Sequence, residues 1–570
     1  MTLYKTTYIY DTTMHIKTLA ACLLAWLAIL PAAAQKKEKK TDDRSFTVAK
    51  NLDVFNTLYR NLEMFYVDTL DTDKLVRTGI DAMLSSLDPY TEYYAEEDMG
   101  DLKMMTTGKY GGIGSIIRMR KDSTVIISEP YADMPAAEAG LKVGDILLRI
   151  DGADLKGKNT SEVSDMLRGE PGTTFILTVR RPGEKKTRDF KMTRRNIKLP
   201  SIPYSGMVGR NTGYIQLSQF TEDCSIDVRK AVIALKEKGA RSLVLDLRGN
   251  GGGLLSEAVS IVNLFVPKGL TIVETRGKLK AANAKFTTTA EPLDTEIPIC
   301  VLVNGNTASA AEIVSGSLQD LDRAVVLGTR TFGKGLVQTP RELPYNGSLK
   351  LTTSKYYIPS GRCIQAIDYK HRRELSGDGR VPDSLTHVFH TSAGREVRDG
   401  GGIKPDIEMK HDTVANLVFY LSNDDALVDW GTKYAQQHST IPPVKDFRIT
   451  DADLADLLQT AKDSHFKYDR MSERRLDDLE KMARFEGYYD DAKEEFAALR
   501  KKLEHNLDRD FDKFKKDIRR LMAQEIVKRY YYQAGALEEG LKDDEDLERA
   551  LSLLDNEQEY RQILSNSKEK

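Results

Sequence analysis

Between residues 213 and 328 four short, largely apolar runs, Tyr214 to Leu217, Ser242 to Leu247, Ile299 to Val303 and Ala324 to Gly328, alternate with amphipathic stretches at Ile226 to Lys236, Leu254 to Phe265 and Ala308 to Leu318. Short β-favouring runs separated by helical periodicity read as strands and crossover helices, so this segment is an α/β core. Two of its strand-to-helix junctions carry unusual residues. The second strand runs into Leu245-Asp246-Leu247-Arg248-Gly249-Asn250-Gly251-Gly252-Gly253, which leaves unpaired amides at a helix N-terminus, where developing negative charge is stabilised. The loop lacks the Gly-Lys-Ser/Thr ending of a phosphate loop and the Gly-x-Gly-x-x-Gly spacing of a dinucleotide site. A tight structural turn is its plain alternative. The third strand runs into Asn304-Gly305-Asn306-Thr307-Ala308-Ser309-Ala310-Ala311-Glu312, setting the Ser309 hydroxyl at an elbow among small side chains that let a substrate backbone approach. In isolation a serine there is far more often a helix cap than a nucleophile.

A third cluster, Thr331-Phe332-Gly333-Lys334-Gly335-Leu336-Val337-Gln338, changes that weighting. Lys334 and Gln338 are four apart, an offset that puts them on one side of either a helix or a strand, so Gln338 can orient the amine. A lysine base must be neutral, and at pH 7 an unperturbed lysine of pKa about 10.4 is neutral in only about one molecule in 2,500. Holding it neutral requires over ~4 kcal/mol of differential stabilisation, which burial among groups such as Phe332, Leu336 and Val337 can supply.

Upstream, residues 110 to 181 alternate glycine-rich turn, strand (Val125 to Ser128), short helix (Pro135 to Ala139), helix (Thr160 to Leu167) and strand (Thr174 to Arg180). This stretch resembles a PDZ domain, most specifically in Ala139-Gly140-Leu141-Lys142-Val143-Gly144-Asp145-Ile146-Leu147. The resemblance places Gly111, Gly112, Ile113 and Gly114 in the carboxylate-binding loop, whose amides capture a peptide C-terminus while the peptide adds a strand to the sheet. Arg168 ends the second helix of that module, where a cation complements the helix dipole. A sharper reading has it contact the α/β core when peptide is bound, coupling binding to the chemistry there.

Taken with Tyr357-Ile358-Pro359-Ser360-Gly361-Arg362-Cys363-Ile364-Gln365, Gly402-Ile403-Lys404-Pro405-Asp406 and Leu84-Ser85-Ser86-Leu87-Asp88-Pro89, these clusters resemble the carboxy-terminal processing peptidases, serine peptidases of the S41 type, over about residues 45 to 410. Cys363 stands where that motif usually has serine. The resemblance implies a ClpP/crotonase-like α/β protease core with an inserted PDZ domain, an N-terminal helical domain and a C-terminal helical extension. It implies Ser309 as nucleophile, Lys334 as general base, Gln338 as the residue orienting the lysine, and an oxyanion hole from the amide of Ala310 and one from Gly252 or Gly253. No metal or other cofactor is expected. His387 and His390 lack an acidic partner at zinc-site spacing. Two readings compete: an exported PDZ-bearing peptide-binding scaffold or chaperone with an incidental pocket, and a crotonase-like acyl-CoA enzyme, which leaves the PDZ module without purpose.

The chain of 570 residues exceeds one core, and its 84 basic against 86 acidic residues offer no polycationic surface for nucleic acid. Polypeptides with accessible C-termini are the expected partners. The expected division is a signal segment over 1–34, a helical domain over 45–108, the PDZ domain over 109–195, the protease core over 196–414 and a charged helical region over 415–570. The apolar run Leu19 to Pro31, after Lys17 and before Ala32-Ala33-Ala34, has the layout of a secretory signal, with Met14 an alternative start; a periplasmic or envelope location follows. Lipidation at Cys22 is discounted because the apolar run follows it rather than precedes it. The helical domain is read from Leu52, Phe55, Leu58, Leu62 and Phe65, and then Leu75, Ile80, Met83 and Leu87. In the last region Phe496, Leu499, Leu503, Leu507, Phe511, Phe514, Ile518 and Leu521 step along one helical face, a stripe for core packing or for contact with a second copy or an adaptor.

Overall fold

A computed structural model describes residues 43–371, 379–411, 414–504 and 506–565, so the segment expected as a signal lies outside the described residues. Among the described residues no helix is long and apolar enough to cross a membrane. The chain divides into two units, the first ending at Ser86. That unit holds a helix over 43–65 and the helix Thr72–Ser85, whose start is capped by the Asp71 side chain accepting from the Lys74 amide at 3.0 Å. Leu52, Phe55, Leu58 and Phe65 stand exposed, so two helices alone leave their apolar stripe uncovered. Residues 87–108, expected in this helical domain, belong instead to the second unit.

The second unit is built on a six-stranded sheet in the order Tyr204–Val208, Thr212–Gln216, Ser242–Asp246, Ile299–Val303, Val325–Gly328, Ile407–Glu408, parallel except for the first hairpin. Side chains alternate between its faces. Leu243, Leu245, Val301 and Val303 pack under the helices Cys224–Glu237, Leu255–Asn263 and Ala310–Asp320. Val244, Cys300, Leu302 and Leu327 meet Leu547, Ala550 and Leu553 of the helix Glu545–Asp555 and Tyr560 of the helix Glu557–Leu564. Parallel strands need cover on both faces. The end of the 415–570 region, expected as an extension beyond the core, is therefore its second covering layer.

A second sheet carries Glu92–Tyr94, Ser348–Tyr357, Thr271–Gly277 and Ala284–Thr287, with Leu336–Glu342 paired to Ser348–Tyr357. The inserted module is a sheet of Ser115–Met119, Val125–Pro130, Ile146–Ile150, Thr174–Arg180 and Thr187–Thr193 closed by the helix Thr160–Leu167, and its two ends pair as Lys109–Gly112 with Arg195–Lys198. The helix Asp425–Gln437 docks on this module: Arg118 meets Asp425 at 2.7 Å, Arg120 meets Asp429 at 2.6 Å, and Val428 packs with Ile126 and Ile146. The apolar stripe from Phe496 to Leu521 is not one helix. It is divided among Lys493–Leu503, Leu507–Lys513 and Lys515–Gly540, with the Asn506 side chain capping the second of these, while Phe511 and Ile518 enter a buried core.

Candidate active site

The strand Ile299–Val303 delivers the chain to a turn in which Thr307 Oγ1 donates to the Leu247 carbonyl at 2.9 Å and the Ala308 amide donates to the Asn250 carbonyl at 2.9 Å. The turn is thereby tied to the glycine loop 60 residues upstream. Ser309 follows at φ 56°, ψ −117°. Such a conformation costs a non-glycine residue about 1–3 kcal/mol and persists only where the surroundings hold it. The holding group is the Glu312 carboxylate. Its Oε2 accepts from the amides of Ser309 and Lys334, both at 2.9 Å, and its Oε1 accepts from Thr331 Oγ1 at 2.5 Å and the Gly333 amide at 2.7 Å. One oxygen thus brings the Ser309 and Lys334 nitrogens within about 6 Å of each other across 25 residues of chain. Burial raises the Glu312 pKa to about 7, although four donors pull the other way. The hydroxyl of Tyr356, itself buried, lies 2.7 Å from the Lys334 carbonyl and 3.2 Å from that of Ser309, bracing the same two residues from the strand Ser348–Tyr357. Ser309 Oγ caps nothing: among the described residues it has no hydrogen-bond partner.

Lys334 is half-buried, with Nζ 4.3 Å from the centre of the Tyr90 ring. Tyr90 is presented by a turn in which Asp88 Oδ1 accepts from the Tyr90 and Thr91 amides, both at 2.8 Å. Burial, with Lys350 adding to it, holds the Lys334 amine below its ordinary 10.5, against the opposing pull of Glu92, Glu312 and Asp88. Gln338 lies on the strand Leu336–Glu342, just past a register shift, and donates to Thr352 Oγ1 at 3.2 Å. It makes no hydrogen bond to Lys334 here. The local irregularity at Val337/Gln338 breaks the simple four-residue repeat on which the sequence reading relied.

Gly252 and Gly253 behave differently. A side chain on Gly252 would lie 2.7 Å from Ser309 Cβ and 2.9 Å from the Ala310 nitrogen, so only glycine allows the loop this close to the elbow. Its own amide is taken by Asn250 Oδ1 at 2.8 Å. Gly253 is fastened to Phe220 by flanking backbone bonds, and among the described residues neither its amide nor that of Ala310 has an acceptor.

In the inserted module a groove of about 440 Å³ lies between Ser115–Met119 and the helix Thr160–Leu167, lined by Gly112, Ile113, Gly114, Ser164 and Leu167. Gly111 does not line it; the Gly169 carbonyl lies 2.0 Å from where a Cβ on Gly111 would stand, so only glycine fits there. Arg168 stands at the groove, over the Tyr110 ring at 5.5 Å and paired with Asp101 at 2.8 Å, and not on the strands or helices of the central sheet.

Glu312, Tyr356 and Tyr90 are not among the site residues expected from the sequence. The Ser-x-x-Glu spacing from Ser309 to Glu312 was a usable signal, since a glutamate three residues past a cap reaches back to the cap's amide. Nothing local pointed to Tyr356 or Tyr90.

A family model described as peptidase family S41 matches residues 211–375, one for a PDZ domain matches 126–181, and one for a probable PDZ-protease C-terminal helical domain matches 417–554. The chain is 41% identical over 322 residues to a carboxy-terminal-processing protease of Bartonella bacilliformis, covering 56% of this chain and 73% of that one. It is 34% identical over 325 residues to a probable CtpA-like serine protease of Staphylococcus aureus strain COL, covering 57% of this chain and 64% of that one. Among solved structures it is similar to a photosystem II D1 C-terminal processing protease at 26% identity, covering 62% of this chain and 92% of that chain, with a TM-score of 0.33.

Proposed function

Because the chain belongs to the carboxy-terminal-processing serine peptidases of family S41 and carries a PDZ domain, we propose that it is an exported endopeptidase in which Ser309 and Lys334 form the catalytic dyad. The observation that carries this reading is the single buried carboxylate that holds the backbones of both residues beside an unengaged serine hydroxyl. The neutral Lys334 amine takes the Ser309 proton as Oγ bonds to the scissile carbonyl carbon, and the ammonium then gives that proton to the leaving nitrogen as the C–N bond breaks. Water, deprotonated by the regenerated amine, attacks the acyl-serine; the new carboxylate leaves and Ser309 is reprotonated. Amides of Ala310 and Gly253 hold the oxyanion in both steps, a choice supported by Gly252 having spent its own amide on Asn250. Gln338 orients the amine by accepting an N–H of Lys334 through its side-chain oxygen, which leaves the amine lone pair for Ser309, while its Nε2 donates to Thr352. Export rests on the N-terminal apolar segment. Cleavage of casein or a tailed model protein, compared between the mature chain and its Ser309→Ala form, tests the assignment.

The base predicts a pH dependence. Its active form is neutral, so kcat/KM rises with pH through the Lys334 pKa and levels above it, with the rise centred below the ordinary lysine value of 10.5. A rising limb centred at or above that value would remove Lys334 from the role.

Substrate delivery is assigned to the groove lined by Gly112, Ile113 and Gly114. Amidating the substrate's C-terminus is expected to slow cleavage, because a neutral amide loses the charge-assisted bonds a carboxylate makes to loop amides. Unchanged rates would mean that the groove reads side chains or internal segments. In the same assay Arg168→Ala separates the two views of that residue: coupling predicts a larger loss of peptide-stimulated cleavage than of thermal stability, and equal losses refute it.

A further inference from the structure

The glycine loop is anchored at its start by a residue from the far end of the chain. Arg248, immediately before Gly249, is surrounded by three carboxylates, each at least nine-tenths buried: Asp246 from its own strand, and Asp544 and Asp546 from the start of the helix Glu545–Asp555. Its guanidinium meets Asp544 at 3.0 and 2.7 Å, Asp546 at 3.1 Å and Asp246 at 2.6 Å, while Tyr214 donates to Asp246 at 2.7 Å. A cation is normally disfavoured at a helix N-terminus, whose dipole end is positive. This one is retained by a fork of bidentate, charge-assisted bonds that only arginine can make. Within the loop the other restraints gather on two residues: Gly249 donates to Asn304 Oδ1 at 3.0 Å, and Asn250 donates to the Leu247 and Leu217 carbonyls and accepts from the Gly252 and Ala308 amides. Four glycines in five residues make such a loop entropically costly to order. An external clamp at Arg248, opposite the Phe220 fastening of Gly253, supplies order at both ends.

Resting on the dyad reading above, we propose that Asp544 and Asp546 are positioning residues: acting through Arg248, the C-terminal helical domain holds the oxyanion loop in its working geometry, so a region over 290 residues distant sets the rate of the chemical step. The helix bearing them is independently fixed by Leu547, Ala550 and Leu553 in the sheet's second layer, so removing the charges leaves it docked.

The test uses the full mature chain. Asp544→Asn/Asp546→Asn is expected to lower kcat on a tailed protein about tenfold, the scale of a slightly misplaced oxyanion donor, with KM and affinity for a C-terminal peptide unchanged. Amide hydrogen exchange over 249–253 is expected to quicken while exchange in the helix Glu545–Asp555 is preserved, and Asp544→Glu is expected to retain more activity than Asp544→Asn. Should the double variant lose its fold, Asp544→Asn alone is read the same way. Wild-type kcat, or exchange over 249–253 that stays at the wild-type rate, overturns the proposal. Because exchange is read without catalysis, its failure is distinct from failure of the dyad, which shows instead as cleavage surviving Ser309→Ala.

Discussion

Ser309→Ala and Lys334→Ala are each expected to reduce cleavage by at least about 10⁴-fold while leaving the circular dichroism spectrum unchanged, since nucleophile and base act as one unit and removing either removes both. The structure explains why the fold tolerates these changes. Among the described residues Ser309 Oγ makes no hydrogen bond, and the elbow is held through main-chain atoms that alanine keeps. Lys334 likewise is fixed through its amide and carbonyl, its side chain contributing, among the described residues, only the contact with Tyr90. Lys334→Met carries a further sign. The folded-state pKa of Lys334 is depressed, so its contribution to stability is present above the unfolded value and is lost as pH falls through the folded one, where the buried amine must take a charge. The methionine variant, equally inactive, is therefore expected to gain in melting temperature over the parent as pH falls. Residual wild-type-like cleavage in Ser309→Ala or Lys334→Ala would refute the dyad.

Glu312→Ala is expected to cost both stability and activity. It strips a partner from Thr331 Oγ1 and from three amides in a fully buried site, and each unsatisfied donor costs about 1–3 kcal/mol, so a loss of roughly 4 kcal/mol or more should appear in urea unfolding. Activity at low temperature, where the variant is still folded, should fall at least about 100-fold, because the strained Ser309 backbone and the Lys334 loop lose their common anchor. Glu312→Gln should fall between, since its amide nitrogen faces one donor pair in place of an acceptor. Protonation gives a second check. With the pKa raised from 4.5 to about 7 in the folded state, the Glu312 contribution is complete below about 4.5 and is lost as pH rises through about 7. The stability margin of the wild type over Glu312→Gln should shrink across that window. Unchanged unfolding and cleavage in Glu312→Ala would show that the elbow is held by Tyr356 and the turn alone.

What the sequence determined by itself was local. Apolar runs of four to six residues, glycine tracts and strand-to-helix junctions announce an α/β core and the loop from Gly249 to Gly253, because strand propensity, turn chemistry and close backbone approach depend on neighbours a few residues away, while the roles expected of Ser309 and Lys334 came from the family resemblance of several ordered motifs together. The strands also carried a hint that went unread: runs such as Ile299 to Val303, apolar on both faces, demand cover on both sides. Which segment supplies that cover, and which groups steady the site, only the tertiary structure decided. Glu312 acts on Lys334 across 22 positions, Tyr356 on Ser309 across 47, and Asp544 on Arg248 across 296. Contacts at such separations are set by how the layers stack, and no periodicity in the chain encodes them. The same holds for Gln338, whose side chain is directed by a register shift in strand pairing rather than by its distance in sequence from the lysine.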